Sequence, residues 1–282
     1  CENLEKVTLA DTVTSIGTYA FRTDTKLTEI NLENVQLLGN SCFTGCVGLS
    51  QANLCSARSI GEQAFNECSA LQTVSMPDSV TYVGAYAFSA NAADLTIIVR
   101  YNSGKIADYM LFNTDVYAVI MEDGITEIGN YAFALDHELT NITFPSTLQT
   151  IGDYAFYDNR SYSELSLPDS VISIGSYAFA RGYNFVKISI PDSVQTIGEY
   201  AFYREEAVNH IDPEFTVEFY YNSGVICDNI LDGQHIQHII VADNIYQVGN
   251  NAFSNCANLI DVSLPDTIAV FGLECFVNDN NI

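Results

Sequence analysis

Histidine, cysteine and carboxylate side chains are the groups in this sequence with the chemistry for catalysis or metal binding. The four histidines, His137, His210, His235 and His238, are scattered, and no HExxH spacing of a zinc protease occurs. A glycine-rich phosphate loop and a nucleophile elbow are also missing from the sequence. In so acidic a chain nothing marks out one pair of carboxylates as catalytic. We therefore predict no enzymatic activity, no cofactor and no metal site.

Three of the eight cysteines share one repeating sequence position. Cys46, Cys68 and Cys256 each lie three residues after a phenylalanine that recurs along the chain. Elsewhere the same position holds Asp24, Asn91, Asp136, Asn159 or Gly182. A position shared by these residue types indicates a turn or a helix end, so we expect mostly free thiols. Cys46 and Cys68 occupy equivalent positions of adjacent repeats, which leaves a disulfide between them open.

A recurring aspartate could in principle bind calcium, because stacked carboxylates supply the oxygen ligands that this ion prefers. These residues also lie where an Asx turn favours aspartate, and the calcium-binding nonapeptide signature is missing. We favour turn capping over a metal site at this position, which comprises Asp11, Asp78, Asp123, Asp169, Asp192, Asp243 and Asp266.

The charge of the chain restricts its partners. Ten Lys and Arg residues stand against 35 Asp and Glu residues, for a formal net charge of −25. Nucleic-acid binding depends on cationic contacts to phosphates, and docking on anionic lipid needs basic residues. We therefore predict no nucleic-acid partner and no membrane insertion, and we expect cationic partners to be favoured.

A six-residue phrase recurs along the chain and defines its organisation. Ile151-Gly152-Asp153-Tyr154-Ala155-Phe156 is one copy. Successive glycine positions are separated by 22 or 23 residues, except for one step of 29. A fixed period of this size is typical of a stacked repeat array. The twelve positions are 17, 39, 61, 84, 107, 129, 152, 175, 198, 227, 249 and 272, of which Ala107 and Cys227 have lost the glycine.

Each repeat also contains a strand pattern. Leu139-Thr140-Asn141-Ile142-Thr143-Phe144-Pro145 shows it in the form L-x-x-I-x-L-P, with apolar residues two apart and a proline that ends the strand. An extended stretch then leads into Ile-Gly, and we expect a short helical turn to carry Tyr-Ala-Phe. The glycine is expected to serve a turn or close packing that a Cβ would obstruct. The recurring tyrosines are predicted to form a half-buried stack, with an interface role as the alternative.

The joint pattern L-x-x-I-x-L-P followed by I-G-x-x-A-F-x-x-C resembles the BspA-like (Treponema pallidum type) class of leucine-rich repeats across essentially the whole chain. The resemblance implies a right-handed α/β solenoid of about twelve coils, with a parallel sheet on one face and short helical turns or extended segments on the other. It also implies a bacterial cell-surface protein linked to adhesion, with no shared catalytic residues. We expect residues 1–282 to form a single solenoid that is a fragment of a longer protein.

Two repeats depart from the pattern in the same way. Tyr101-Asn102-Ser103-Gly104 and Tyr221-Asn222-Ser223-Gly224 replace the usual Pro-Asp-Ser turn, 120 residues apart. Duplication history is one explanation, and an altered surface at these coils is the other. The 29-residue step adds about six residues within 203–213. These are interpreted as a tolerated surface loop, with a loop near a binding face as the alternative.

The outward position of the strand is mostly small and polar, but it becomes apolar at Ile98, Ile120 and Ile240 in or beside the atypical repeats. An apolar spot rimmed by polar side chains marks a candidate contact site, and cover by a neighbouring loop is the alternative. The predicted ligand-binding residues are Thr96, Ile98, Arg100, Ala118, Ile120, Glu122, Tyr220, His238 and Ile240.

The leading functional hypothesis is a non-catalytic, adhesin-type module, extracellular and on the cell surface, that binds a host or cell-surface protein or glycan. A structural spacer, or a recognition arm for a catalytic or wall-anchoring domain outside this fragment, is the alternative. The sequence leaves the identity of the ligand and the oligomeric state open.

Overall fold

The computed structural model describes residues 3–91, 95–100, 104–204, 214–220 and 224–279. The Tyr-Asn-Ser residues of both atypical turns, 101–103 and 221–223, lie outside the described residues, as does most of the insertion, 205–213. The chain divides into two compact units. Unit 1 comprises Cys1–Ile125 and Tyr131–Pro145, and unit 2 comprises Thr126–Asn130 and Ser146–Ile282. The expectation of a single solenoid over the whole chain stays a prediction.

Each repeat contributes one strand to a first layer and one to a second layer. In unit 1 the first-layer strands are β1 (Lys6–Val7), β3 (Glu29–Ile30), β5 (Gln51–Asn53), β7 (Thr73–Pro77), β9 (Thr96–Arg100), β11 (Ala118–Met121) and β13 (Asn141–Thr143). The second-layer strands of unit 1 are β2 (Ser15–Ile16), β4 (Leu37–Leu38), β6 (Ser59–Ile60), β8 (Tyr82–Val83) and β10 (Lys105–Ile106).

Unit 2 repeats this arrangement. Its first-layer strands are β15 (Glu164–Ser166), β17 (Lys187–Pro191), β19 (Thr216–Tyr220), β21 (His238–Val241) and β23 (Asp261–Ser263). The second-layer strands of unit 2 are β12 (Glu127–Ile128), β14 (Thr150–Ile151), β16 (Ser173–Ile174), β18 (Thr196–Ile197), β20 (Val225–Ile226), β22 (Gln247–Val248) and β24 (Val270–Phe271). The described residues form about eleven turns of parallel β-solenoid, one fewer than the twelve coils predicted from the sequence.

Strand pairing follows the repeat register, so equivalent residues lie side by side. Val74 pairs with Ile97, and Ile97 pairs with Val119, in parallel ladders. All three side chains are buried, as the alternation of the strand pattern predicts. The phenylalanines of the phrase form a second internal row, with the rings of Phe43 and Phe65 stacked at 5.2 Å. The strand positions and inward-facing columns predicted from the sequence are therefore confirmed.

The predicted helical turn at Tyr-Ala-Phe is wrong. The described residues contain no helix. The tyrosine of the phrase adopts the left-handed region instead, with φ of 60° at Tyr19 and 56° at Tyr154, and this breaks any helical run. The N–H groups of the phrase point to the next repeat: Tyr19 N–H donates to Asn40 O at 3.1 Å, and Phe21 N–H donates to Cys42 O at 2.8 Å. These bonds between repeats replace the bonds that a helix would make within itself.

The glycine of the phrase permits close stacking of neighbouring repeats. A Cβ atom built on Gly175 would lie 2.6 Å from Gly152 C and 2.6 Å from Asp153 N of the preceding repeat. The same atom on Gly17, in the first described repeat, meets nothing within 4 Å. Close packing is therefore the reason for the glycine, one of the two roles predicted from the sequence.

The two repeats without this glycine coincide with interruptions of the second layer. Unit 1 has a sheet in the order β2-β4-β6-β8 that does not continue to β10, the strand just before Ala107. In unit 2 the ladder β12-β14-β16-β18 does not continue to β20, the strand just before Cys227, and β20-β22-β24 form a separate sheet. Within each unit, a side chain in the glycine position thus accompanies the break between described strands of the second layer. The first layer of unit 1 is also interrupted, between β3 and β5, where Gly39 is present.

The cysteines in the repeating position are free thiols that satisfy the backbone of the preceding repeat. Cys46 Sγ donates to Phe21 O at 3.0 Å, and Cys68 Sγ donates to Phe43 O at 3.2 Å. Burial raises the pKa of the Cys46 thiol to about 11. Neither cysteine is paired in a disulfide, which resolves the alternative that the sequence left open.

We predict that Gly175→Ala lowers the free energy of unfolding by about 2 kcal/mol, because the new Cβ overlaps the backbone of the preceding repeat. The matched variant Gly17→Ala should change it by less than about 0.5 kcal/mol, since its Cβ meets open space. Urea unfolding followed by circular dichroism measures both. Equal effects of the two substitutions would show that close stacking is not what the glycine serves.

Candidate binding site

The nine predicted contact residues form two clusters, one in each unit. Thr96, Ile98 and Arg100 lie on β9, Ala118 and Ile120 lie on β11, and Glu122 follows β11 directly. The parallel register places Ala118 beside Thr96 and Ile120 beside Ile98, so these six residues of unit 1 form a compact patch. The other three lie on unit 2, with Tyr220 on β19, and His238 and Ile240 on β21.

The patch of unit 1 contains a shallow depression of about 300 Å³, a volume at the lower end of the range for ligand pockets. Its lining residues are Thr96, Tyr117, Ala118, Val119, Ile120, Asn141 and Thr143. The floor is low at Ala118 because this small, nearly buried side chain pairs with Thr96 on one side and Asn141 on the other. The sequence predicted three of the lining residues and missed the other four, which are Tyr117 just before β11, Val119 on β11, and Asn141 and Thr143 on β13.

Exposed aliphatic side chains make the surface of this patch apolar. Ile120 is 38% exposed, although the equivalent positions on other strands of the same sheet are the polar residues Asn53, Ser75 and Thr143. Ile98 beside it is partly exposed. A hydrophobic spot surrounded by polar side chains is typical of contact surfaces in soluble proteins.

Arg100 and Glu122 form the charged rim of the patch. Arg100 Nε lies 2.8 Å from Glu122 Oε1, and both side chains are about half exposed. An exposed ion pair contributes little to stability, so its main effect here is to hold two charges beside the apolar depression. The predicted rim is therefore present, and its two opposite charges neutralise each other.

The cluster of unit 2 is more polar than the sequence suggested. Tyr220 Oη donates to Glu218 Oε2 at 2.6 Å, and Lys187 Nζ lies 2.8 Å from the same oxygen. Burial opposes ionisation of Glu218, but the hydrogen bonds from Lys187 and Tyr220 outweigh it and hold its pKa below the usual value. Ile240, 39% exposed, lies next to Glu218 in the register and is therefore beside an ionic network.

His238 lies between two carboxylates on the same sheet face. Its Nε2 is 3.0 Å from Glu214 Oε2, and its Nδ1 is 3.0 Å from Asp261 Oδ1. Burial of the ring opposes protonation, but the hydrogen bonds to Asp261 and Glu214 outweigh it and raise the pKa of His238 above 6.5. The predicted contact residue is thus an internal partner of neighbouring acids. The repeat register could have predicted this contact, because it places Asp261 beside His238 on the next strand.

The tyrosines of the phrase stack as the sequence predicted, although the turns that carry them are not helical. The rings of Tyr109 and Tyr131 in unit 1 are stacked at 4.8 Å, and those of Tyr154 and Tyr177 in unit 2 are stacked at the same distance. Tyr109 is 53% exposed, so the outer edge of this row remains accessible to solvent. An interface role for the row stays a prediction.

No group of three or more His, Cys, Asp or Glu side chains in the described ranges is arranged to hold a metal ion. Because the described residues contain no helix, there is none among them that could cross a membrane.

Comparisons with known proteins agree with this architecture. The sequence matches the "BspA type Leucine rich repeat region (6 copies)" over residues 1–114, 104–224 and 183–282. The chain therefore belongs to the BspA-type leucine-rich repeat family. A search of curated proteins finds no significant match.

Solved structures of bacterial repeat proteins are similar to this chain. A leucine-rich repeat protein from Bacteroides ovatus ATCC 8483 is 21% identical with a TM-score of 0.54, and the match covers 100% of this chain and 78% of that one. A leucine rich cell surface protein from Faecalibacterium prausnitzii A2-165 is 23% identical with a TM-score of 0.42, covering 99% and 78%. The T. pallidum leucine rich repeat protein is 20% identical with a TM-score of 0.42, covering 66% and 77%.

We predict that the ion pairs of His238 make stability depend on pH. Because its folded pKa lies above 6.5, their contribution is fully present below pH 6.5 and is lost as the pH rises through the folded pKa. His238→Gln should remove a contribution of less than about 1 kcal/mol at about pH 5.5 and change stability little at about pH 8.5. Urea unfolding at both pH values measures the free energy of unfolding. Thr216→Ser, at the position paired with His238 on the neighbouring strand, is the control. An unchanged pH dependence in His238→Gln would contradict the assignment.

Proposed function

We propose that this chain is a non-catalytic interaction module of the bacterial cell surface, which binds a partner protein through the first-layer sheet of unit 1. Membership of the BspA-type family supports a protein-interaction role. The observation that carries the proposal is the depression around Ala118 and Ile120, where a polar sheet face becomes apolar. In this proposal the partner is an adhesin target, a protein of a host or of another cell surface.

The lining of the depression favours a protein partner over a glycan. Its centre is formed by Ala118 and Ile120, whose aliphatic atoms gain most from burying an apolar side chain. The surrounding Thr96, Asn141 and Thr143 offer hydroxyl and amide groups for a polar rim. An apolar centre with a hydrogen-bonding rim is the usual organisation of a protein interface.

The sheet beneath the depression is a rigid support for binding. Residues of β9 and β11 pair over four positions, and their inward side chains Ile97, Val99, Val119 and Met121 are all buried. The outward side chains are therefore held in place by the core packing of their neighbours. Binding then needs little ordering of the site, which lowers its entropic cost.

We predict that Ile98→Asp combined with Ile120→Asp abolishes binding to an array of purified extracellular-matrix proteins, because two charges replace the apolar centre. Both positions face outward, so circular dichroism and thermal unfolding should remain close to wild type. Ser166→Asp, an exposed first-layer position of unit 2, is the matched control and should bind normally.

The array also carries glycans and thereby separates the alternatives. Loss of protein capture by the double variant supports the proposal. Capture of glycans alone, or normal binding by the double variant, would contradict it. Absence of any captured ligand would favour the spacer alternative over the binding module.

A further inference from the structure

A second pocket adjoins the depression of unit 1 and carries acidic groups. It has a volume of about 370 Å³ and is lined by Phe88, Ser89, Ala90, Asn91, Leu95, Asp115, Tyr117 and Glu138. Tyr117 lines this pocket and the depression alike, so the two adjoin at this residue. We refer to this second pocket as the acidic pocket.

The structure holds Asp115 in place at the acidic pocket. Its backbone is in the left-handed region with φ of 56°, and its N–H donates to Asp136 Oδ1 at 2.8 Å. Asp136 is fully buried and also accepts the N–H of Thr114 at 2.7 Å, so it fixes two successive residues. Ser89 Oγ donates to Asp115 Oδ2 at 3.0 Å, which orients the carboxylate. Asp115 is therefore a positioned anion on the wall of the pocket.

The remaining lining gives the pocket two kinds of surface. Phe88 and Leu95 contribute apolar atoms to the lining, although both side chains are almost fully buried. Glu138, which is exposed, adds a second carboxylate to that of Asp115. A lysine or arginine side chain matches this combination, because its aliphatic stem packs on apolar surface while its charged end meets carboxylates.

We propose that the acidic pocket receives a lysine or arginine side chain of the partner protein, while an apolar side chain of the same segment occupies the adjoining depression. This inference rests on the proposed function and adds the chemistry of the partner: a segment with an aliphatic residue next to a basic one. Charge complementarity supports it, since the chain has a formal net charge of −25 and favours cationic partners. Continuity with the depression through Tyr117 supplies the geometry.

The test uses short Gly/Ser peptides that carry one leucine and one lysine at increasing separations. Fluorescence anisotropy measures their affinity for the whole chain, with leucine–glutamate and serine–lysine peptides as controls. We expect at least one leucine–lysine peptide to bind more tightly than both controls, and its affinity to fall with added salt. Equal binding of the leucine–glutamate peptides, or no binding by any peptide of the set, would overturn the assignment.

We predict that Asp115→Asn combined with Glu138→Gln weakens the best peptide by about tenfold and removes most of its salt dependence. Asparagine tolerates the left-handed backbone of Asp115, so the fold is expected to be retained. Glu62→Gln with Glu67→Gln removes two exposed carboxylates elsewhere in unit 1 and is the charge-matched control.

The two proposals fail in different ways in this experiment. If Ile98→Asp with Ile120→Asp abolishes binding while the Asp115 and Glu138 variant binds normally, the acidic pocket is wrong and the depression stands. If the variant at Asp115 and Glu138 loses no more affinity than the charge-matched control, the net charge of the protein explains the peptide binding, and the acidic pocket is wrong. If neither site variant changes binding, both proposals are wrong.

Discussion

Close contact between the backbones of neighbouring repeats is the constraint on which this structure depends. At the glycine position the chain of one repeat lies against the preceding one with no space for a Cβ atom, as the 2.6 Å distances at Gly175 show. This approach brings the second-layer strands into pairing distance and lets Tyr19 and Phe21 donate their N–H groups to the next repeat. The row of stacked phenylalanines then fills the interior.

The sequence predicted the repeat and its apolar columns because both depend on local periodicity. A strand with Ile142 facing inward needs only the alternation of its own residues. The conformation of the phrase depends instead on hydrogen bonds between residues about one repeat apart, such as Phe21 N–H to Cys42 O. The spacing of Tyr, Ala and Phe is compatible with a helical turn, so local pattern alone favoured the wrong conformation. The left-handed tyrosine is a bulky residue in an unfavourable region, which no propensity scale anticipates.

The candidate site also combines features that the sequence predicted with features that only the folded chain shows. Aligning equivalent positions predicted that Ile98 and Ile120 lie side by side, because the register of a repeat array carries each column to the next strand. Tyr117, Asp115 and Glu138 belong to other columns, and only the folded chain brings them beside that patch. The environment of His238 also depends on the folded chain, which brings Glu214 and Asp261 to its two ring nitrogens. Its role as a contact residue stays a prediction.

The interruptions at Ala107 and Cys227 change which strand pairs couple neighbouring repeats. In a repeat protein, stability is the sum of the intrinsic stability of each repeat and the coupling to its neighbours. Where β8 does not pair with β10, and where β18 does not pair with β20, one ladder of that coupling is missing. At these same junctions the first-layer pairs β7–β9 and β17–β19 extend over five positions each, more than the other described first-layer pairs. Coupling across the two substituted glycine positions therefore rests on the first layer. In unit 1 the strand that carries this coupling, β9, also carries Ile98 and Arg100 of the candidate patch.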